Sequence, residues 1–246
     1  MTPKVSIITT TYNDADHLEK VVRRVYEQDY PVIEYIIVDG GSTDRTPEVI
    51  RQAEELFGER LVWISEKDNG IYDAINKGLK LASGEIIGLM FDNFATEHVV
   101  SEMVEIMQKE GTDGVHGDLD YVDGERIVRK WRMGEGTIRQ GWMPGHPTLY
   151  LKRQVYEKYG NYKTDYRIAA DYEFIVRILK DEEVKLSYLP RVLVKMFYGG
   201  TSTGSLSSYV DSFLESLRAL KENRVKHPLW INLRRTVRVL TQFHSG

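Results

Sequence analysis

The amino-acid sequence predicts an α/β domain built on a mostly parallel sheet flanked by helices. Three observations carry that expectation. Short runs of apolar and β-branched residues recur through the first half of the chain. Each run is followed by a segment whose apolar residues fall at helical spacing. Polar residues then cluster just after each run, at the strand ends where open parallel sheets bind ligands.

Val5–Thr11 (VSIITTT) reads as a buried strand, and Asp14–Gln28 as a helix with Leu18, Val21, Val22 and Val25 on one face. Tyr35–Asp39 is a second buried strand. Thr46-Pro47 opens the next helix, with Thr46 as N-cap and Pro47 in the first turn. Leu61–Ile64 is a short strand, Ile71–Ala82 a helix ended by Gly84, Ile86–Phe91 a strand and Glu97–Lys109 a helix. Four such steps with near-continuous apolar strands indicate a sheet covered on both faces. The second half is less regular. Strands are expected at Gly114–Tyr121 and Ile127–Trp131, around a turn at Asp123-Gly124. Met133–Pro147 reads as a loop and Ala170–Lys180 as a helix. Two separate strands are expected at Val184–Leu189 and Val192–Phe197, and a flexible loop at Gly199–Ser205.

Composition narrows the function. With 33 Lys and Arg against 37 Asp and Glu, the net charge of −4 argues against a nucleic-acid coat. The absence of cysteine excludes disulfides, thiolate metal sites and thiol nucleophiles. The N-terminus lacks a signal-peptide pattern, and no apolar run approaches the ~20 residues that cross a bilayer. The expected location is therefore cytoplasmic, peripheral to the inner face of the membrane at most.

Six positions along the chain can carry chemistry. Thr11-Tyr12-Asn13 follows the first strand. Asp39 ends the second and precedes Gly40-Gly41, where a ligand can approach the backbone, although a plain turn has the same composition. There is no dinucleotide fingerprint and no phosphate-loop lysine. Asp68–Gly78 (DNGIYDAINKG) places Asn76 and Lys77 within reach of a nucleotide, while Asp73–Lys77 also fits an ordinary intrahelical ion pair. Asp92-Asn93 offers oxygen ligands for a hard cation or, equally, a turn. Asp171-Tyr172-Glu173 opens a helix, where a carboxylate can cap or act as general base. His146 sits in a constrained Pro-Gly-His-Pro loop.

Together these blocks resemble the family 2 glycosyltransferases of bacterial polysaccharide biosynthesis. The ordered set is VSIITTTYN, YIIVDGGSTDRT, SEKDNGIYDAINKGLKLASGEIIG, GHPTLYLKR and YRIAADYEFIVR, spanning about residues 4–200. The resemblance implies a GT-A, Rossmann-like fold with a smaller mixed sheet on the acceptor side and C-terminal helices. It implies a transferase domain over 1–204, with a nucleotide-sugar half at 1–112 and an acceptor half at 113–204. A helical segment would follow at 205–246. Thr9, Thr11, Tyr12, Asp39, Asp68, Asn76 and Lys77 would hold the donor. Asp171 would be the catalytic base, with Glu173 beside it as an alternative, and His146 would face the acceptor. Gly199-Gly200-Thr201-Ser202 matches a loop that closes over the substrates. The implied reaction moves a sugar with inversion from a nucleotide-sugar, UDP-linked by family weight, to a glycan or lipid-linked acceptor.

One element departs from the family pattern. Where an Asp-Asp or Asp-X-Asp pair is usual, this chain reads Phe91-Asp92-Asn93-Phe94. Asp92 and Asn93 are then the ligands for Mg²⁺ or Mn²⁺, at lowered affinity because an amide brings no charge. Asp118 and Asp120 are further carboxylates on a nearby strand. The departure motivates a second reading, a catalytically weakened subunit that binds nucleotide-sugar without turning it over. A nucleotidyltransferase would need a basic Gly-rich loop after the first strand, which TTTYNDAD lacks.

The tail differs in charge. Residues 223–246 hold Arg224, Lys226, Arg234, Arg235 and Arg238 and no acid, with Trp230, Leu233, Val237 and Leu240 at helical spacing. Such a helix can lie on an anionic membrane surface. The commoner arrangement packs the apolar side on the domain and leaves the arginines in solvent.

Overall fold

The computed structural model describes residues 2–197 and 206–240. Among the described residues nine strands form one sheet: β1 (Val5–Thr11), β2 (Ile33–Asp39), β3 (Leu61–Ser65), β4 (Ile86–Leu89), β5 (Asn93–Phe94), β6 (Gly114–Asp123), β7 (Arg126–Trp131), β8 (Tyr150–Lys152) and β9 (Leu186–Phe197). Their spatial order is β3-β2-β1-β4-β8-β6-β9-β5, with β7 against β6. The first four strands are parallel. β8 runs antiparallel between β4 and β6, and β9 returns parallel to β6. The mixed strands of the second half thus continue the sheet of the first.

Period-two alternation sends side chains of β1 and β2 to opposite faces. Ile8, Ile36 and Val38 join one apolar cluster with α3 (Ile71–Leu81), while Val5, Ile7, Tyr35 and Ile37 join the other. That second cluster takes Leu18, Val21, Val22 and Val25 of α1 (Ala15–Tyr26), and Val49, Ile50, Ala53 and Phe57 of α2 (Thr46–Phe57). α4 (Val99–Glu110) packs there too. On the α3 side lie α5 (Arg153–Tyr159) and α6 (Ala170–Leu179), with α7 (Leu206–Glu222) and α8 (Pro228–Leu240) beyond them.

Several local expectations are corrected. Thr46 is the first residue of α2 rather than its cap. Asp44 does the capping, accepting Thr46 N–H at 2.9 Å, while the Thr46 hydroxyl accepts Asp14 N–H at 3.3 Å. α3 ends at Leu81, ahead of Gly84. Gly84 is a glycine because a Cβ there would sit 2.7 Å from Lys4 O and Ser6 N. The strand expected over Ile86–Phe91 stops at Leu89, and Asn93–Phe94 crosses to pair with β9 at the far edge. The two strands expected at 184–189 and 192–197 are one strand, β9, whose register on β6 jumps from Leu189 to Val192. Pro190 lies in the jump, where a residue without an N–H is tolerated as a bulge. Gly199-Gly200-Thr201-Ser202, expected to close over substrates, lies outside the described residues.

Candidate active site

The register aligns Thr11, Asp39 and Ser65 in one row at the carboxyl ends of β1, β2 and β3. Just beyond that row lies a cleft of about 750 Å³. Thr11, Tyr12, Gly40, Lys67, Asp68 and Ile71 are among the residues lining it. Tyr12 offers its ring there, 65% exposed. The Thr11 hydroxyl is buried without a hydrogen-bond partner among the described residues, a polar group left for a ligand to satisfy. Gly40 permits the close approach of two lining residues. A Cβ on it would stand 2.9 Å from Asp68 Oδ2 and 3.2 Å from the Tyr12 ring.

Asp68 is held at the rim by Lys77 of α3, Nζ to Oδ1 at 2.6 Å. Lys77 also reaches Glu66 at 2.9 Å and donates to Lys67 O at 2.9 Å. The Asp68 hydrogen bond chiefly pushes the Lys77 pKa up, so it stays charged. Lys77 therefore organises Asp68 and the 66–68 loop.

Three residues implied as donor contacts are engaged elsewhere. Thr9 is buried, donating to Met90 O at 2.8 Å and accepting the Tyr35 hydroxyl at 3.1 Å. Asn76 spends its amide on the backbone of Tyr162, donating to its O at 2.8 Å and accepting its N–H at 3.0 Å. Asp39 is wholly buried, accepting the Ser42 N–H, the Ser42 hydroxyl and the Ser65 hydroxyl, the last at 2.6 Å. A base N–H reaches Asp39 only by replacing a serine hydroxyl.

Helix α3 connects the cleft to Asp171. Its first residue, Ile71, lines the cleft, and the next, Tyr72, reaches the turn before α6. The Tyr72 hydroxyl donates to Ile168 O at 2.5 Å and lies 3.4 Å from Asp171 Oδ1. Burial first, and the Asp171 charge second, push the Tyr72 pKa up, so it remains a neutral donor. Asp171 stands in the first turn of α6. That turn is clamped from α7. Glu215 accepts the backbone N–H groups of Arg167, Ile168 and Ala169 at 2.9, 2.9 and 2.8 Å. Arg235 of α8 stacks on the Tyr172 ring at 4.7 Å. Burial lowers its pKa while Tyr172 and Asp171 oppose that. Tyr72, Glu215 and Arg235 carried no local signal of a role here, since their partners lie far away in sequence.

His146 donates to or accepts from the Tyr162 hydroxyl at 2.8 Å and stacks on Phe91. Burial pushes its pKa down, partly offset by Asp171, so the imidazole is neutral near pH 7. Glu173, the alternative base, is placed elsewhere. It is fully buried, paired with Arg177 at 2.9 Å and Lys163 at 3.0 Å, and accepts Asn223 Nδ2 at 3.1 Å. These contacts tie α6 to the end of α7.

Asp92 and Asn93 do not fit a divalent cation as they stand. Asp92 is buried, which pushes its pKa up. One carboxylate oxygen accepts Asn93 Nδ2 at 2.9 Å and the other accepts Phe197 N–H at 2.6 Å. Asp118 supplies no compensation, since it accepts Met133 N–H at 2.9 Å and the Tyr188 hydroxyl at 2.7 Å. Asp120 is paired with Arg132 at 2.7 Å. Among the described residues no group of three His, Cys, Asp or Glu side chains is placed to hold a metal. Each of these carboxylates is engaged by a protein hydrogen bond or ion pair, so a hard cation would have to share or displace those contacts.

The sheet order, the strand-end cleft and the flanking helices define a GT-A glycosyltransferase architecture. Two solved structures share it. The mannosyltransferase PcManGT from Pyrobaculum calidifontis, in complex with GDP-Man and Mn²⁺, matches with a TM-score of 0.65 at 21% identity, over 98% of this chain and 75% of its own. S. aureus TarS 1-349, in complex with UDP, matches with a TM-score of 0.74 at 16% identity, over 97% and 72%. The chain belongs to glycosyl transferase family 2, whose family model matches residues 6–196. An uncharacterized glycosyltransferase of Mycobacterium tuberculosis is 32% identical over 193 residues, covering 71% of this chain and 68% of that protein. A PGL/p-HBAD biosynthesis glycosyltransferase of Mycobacterium bovis is 29% identical over 208 residues, covering 81% and 79%.

Proposed function

We propose that this glycosyltransferase moves a sugar, with inversion, from a UDP-linked donor to a hydroxyl of a glycan or lipid-linked acceptor. The observation that supports it is that the first turn of α3 meets both places, Ile71 lining the strand-end cleft and Tyr72 lying 3.4 Å from Asp171. The nucleotide occupies the cleft, with Tyr12 against the base or ribose and the Thr11 hydroxyl gaining a partner. Asp171 takes the proton from the acceptor hydroxyl as its oxygen bonds to the anomeric carbon. The bond from that carbon to the diphosphate oxygen breaks on the opposite face, and the nucleoside diphosphate leaves with the electron pair. The diphosphate needs no protonation, so a single general base suffices, unlike the paired carboxylates of glycoside hydrolases. The neutral His146 and Tyr72 hold hydrogen bonds around Asp171 without competing for its proton.

Asp171→Asn tests this directly. Removing a general base is expected to cost roughly 10²–10⁴-fold in transfer rate, with nucleotide binding unchanged. Transfer near the wild-type rate places the base elsewhere. The single carboxylate at Asp92 and Asn93, already hydrogen-bonded within the protein, favours one competing reading, a subunit that binds nucleotide-sugar and does not transfer it. In that case the wild-type chain itself shows binding without turnover at every metal concentration.

A further inference from the structure

The C-terminal helix does not adopt the commoner arrangement of a basic amphipathic helix. Its inward contacts are made by Ile231 and Asn232, both buried, and by Arg235. Asn232 Nδ2 donates to Phe213 O at 2.9 Å, and Arg235 donates to Ser216 Oγ at 2.9 Å while lying over Tyr172. The apolar stripe seen in the sequence points the other way. Leu229, Trp230, Leu233 and Val237 are 53%, 57%, 43% and 59% exposed. Helix α7, packed against α8, adds Tyr209, Val210 and Leu214, also exposed. Large exposed apolar side chains clustered on two packed helices mark an interaction surface.

The charges around this face select its partner. Arg234 lies over the Trp230 ring at 5.2 Å, on the same outward side. Arg224 and Lys226 stand in the connection between the helices. No ion pair among the described residues engages Arg224, Lys226 or Arg234. The acids of α7 have partners within the chain, Asp211 only in a long, exposed contact. Asp211 faces Arg167, Glu215 holds three backbone N–H groups, and Glu222 meets Lys163, Arg218 and Tyr166. The face is therefore apolar at its centre and positive around it. A second copy seated face to face would bring two positively charged rims together. An anionic lipid surface complements both features, since acyl chains receive Trp230 and Leu233 while headgroups receive the arginines.

We propose that the outer face of α7 and α8 docks this enzyme on an anionic bilayer. Docking lies along the surface, since no helix among the described residues is long and apolar enough to cross a membrane. This inference stands apart from the proposed transfer reaction, because none of its residues belongs to the cleft or the Asp171 turn.

The test is co-sedimentation of the full chain with vesicles of phosphatidylcholine, with and without phosphatidylglycerol. Binding is expected with phosphatidylglycerol at low salt, with release at high salt and little binding to the neutral vesicles. Arg234→Ala with Lys226→Ala is expected to weaken partitioning roughly 25-fold, at about fivefold per basic residue. Trp230→Ser with Leu233→Ser is expected to weaken it at least tenfold. All four side chains are exposed, so melting temperature and nucleotide binding should match wild type, which separates lost docking from lost folding. Wild-type protein left in the supernatant with anionic vesicles overturns the proposal, as do variants that partition like wild type. A wild-type dimer that Trp230→Ser with Leu233→Ser converts to monomer also overturns it, by assigning the face to a second copy.

Discussion

The two halves of the molecule place their polar groups by different means. In the first half, the groups at the strand ends are fixed by the parallel register. Thr11, Asp39 and Ser65 stand in one row, and Asp39 is satisfied by Ser42 and Ser65 close by. In the second half, Asp171 has no such row. Its turn is held by Tyr72 from α3 and by Glu215 from α7, and Arg235 from α8 packs beside it. A site made this way can bind through local architecture and react through long-range architecture. The two properties should then be separable by mutation.

The largest test of that contrast falls on the clamp. Glu215→Ala leaves three backbone N–H groups without their carboxylate. It is expected to cost about 2 kcal/mol of stability, lowering Tm by roughly 4–8 °C. Transfer should fall about tenfold with nucleotide binding unchanged, since Asp171 loses its anchor and the cleft does not. Thermal melts with steady-state kinetics check both. If transfer survives while Tm falls, the clamp serves folding alone and the contrast fails.

A smaller effect is expected at the cleft. Gly40→Ala drives a methyl against Asp68 and the Tyr12 ring, both of which line the nucleotide position. Affinity for the nucleotide should fall about tenfold with Tm nearly unchanged, because exposed Tyr12 can move aside at little cost to the core. The smallest effect concerns acid stability of the first half. Burial of Glu34 opposes its ionisation, but hydrogen bonds from Lys4, Ser6 and Ser83 outweigh that and hold its pKa at about 2. The ordinary glutamate value is 4.5, so the unfolded chain binds this proton first. The stabilisation is present above pH 4.5 and is lost as pH falls from there towards 2. In Tm measured against pH, Glu34→Gln should flatten that stretch of the wild-type curve and leave the region above it parallel.

The same contrast explains what could be read in the sequence. The βα steps of the first half were legible because each strand and helix carries its own period, and β1 spans the predicted Val5–Thr11. Side-chain partners were not. Nothing local says that Asn76 turns to the Tyr162 backbone rather than a nucleotide, or that Thr9 is sealed beneath Tyr35. In the second half even element boundaries depended on distant pairing, as in β9, where the bulge at Pro190 is set by the register on β6. Asp171 stood out by its motif. Glu215, which holds it, lies a whole helix away and looks like any surface glutamate. The tail shows the limit of periodicity most plainly. The spacing of Trp230, Leu233 and Val237 revealed an apolar face, and only the packing of Ile231 and Arg235 showed that it points outward.

The separation of binding from chemistry is tested most directly by calorimetric titration of UDP and GDP into wild type, Gly40→Ala and Asp171→Asn. UDP should bind wild type and Asp171→Asn with the same affinity, and Gly40→Ala about tenfold more weakly. Binding lost in Asp171→Asn and intact in Gly40→Ala would contradict the account, moving the nucleotide from the strand-end cleft to the Asp171 turn.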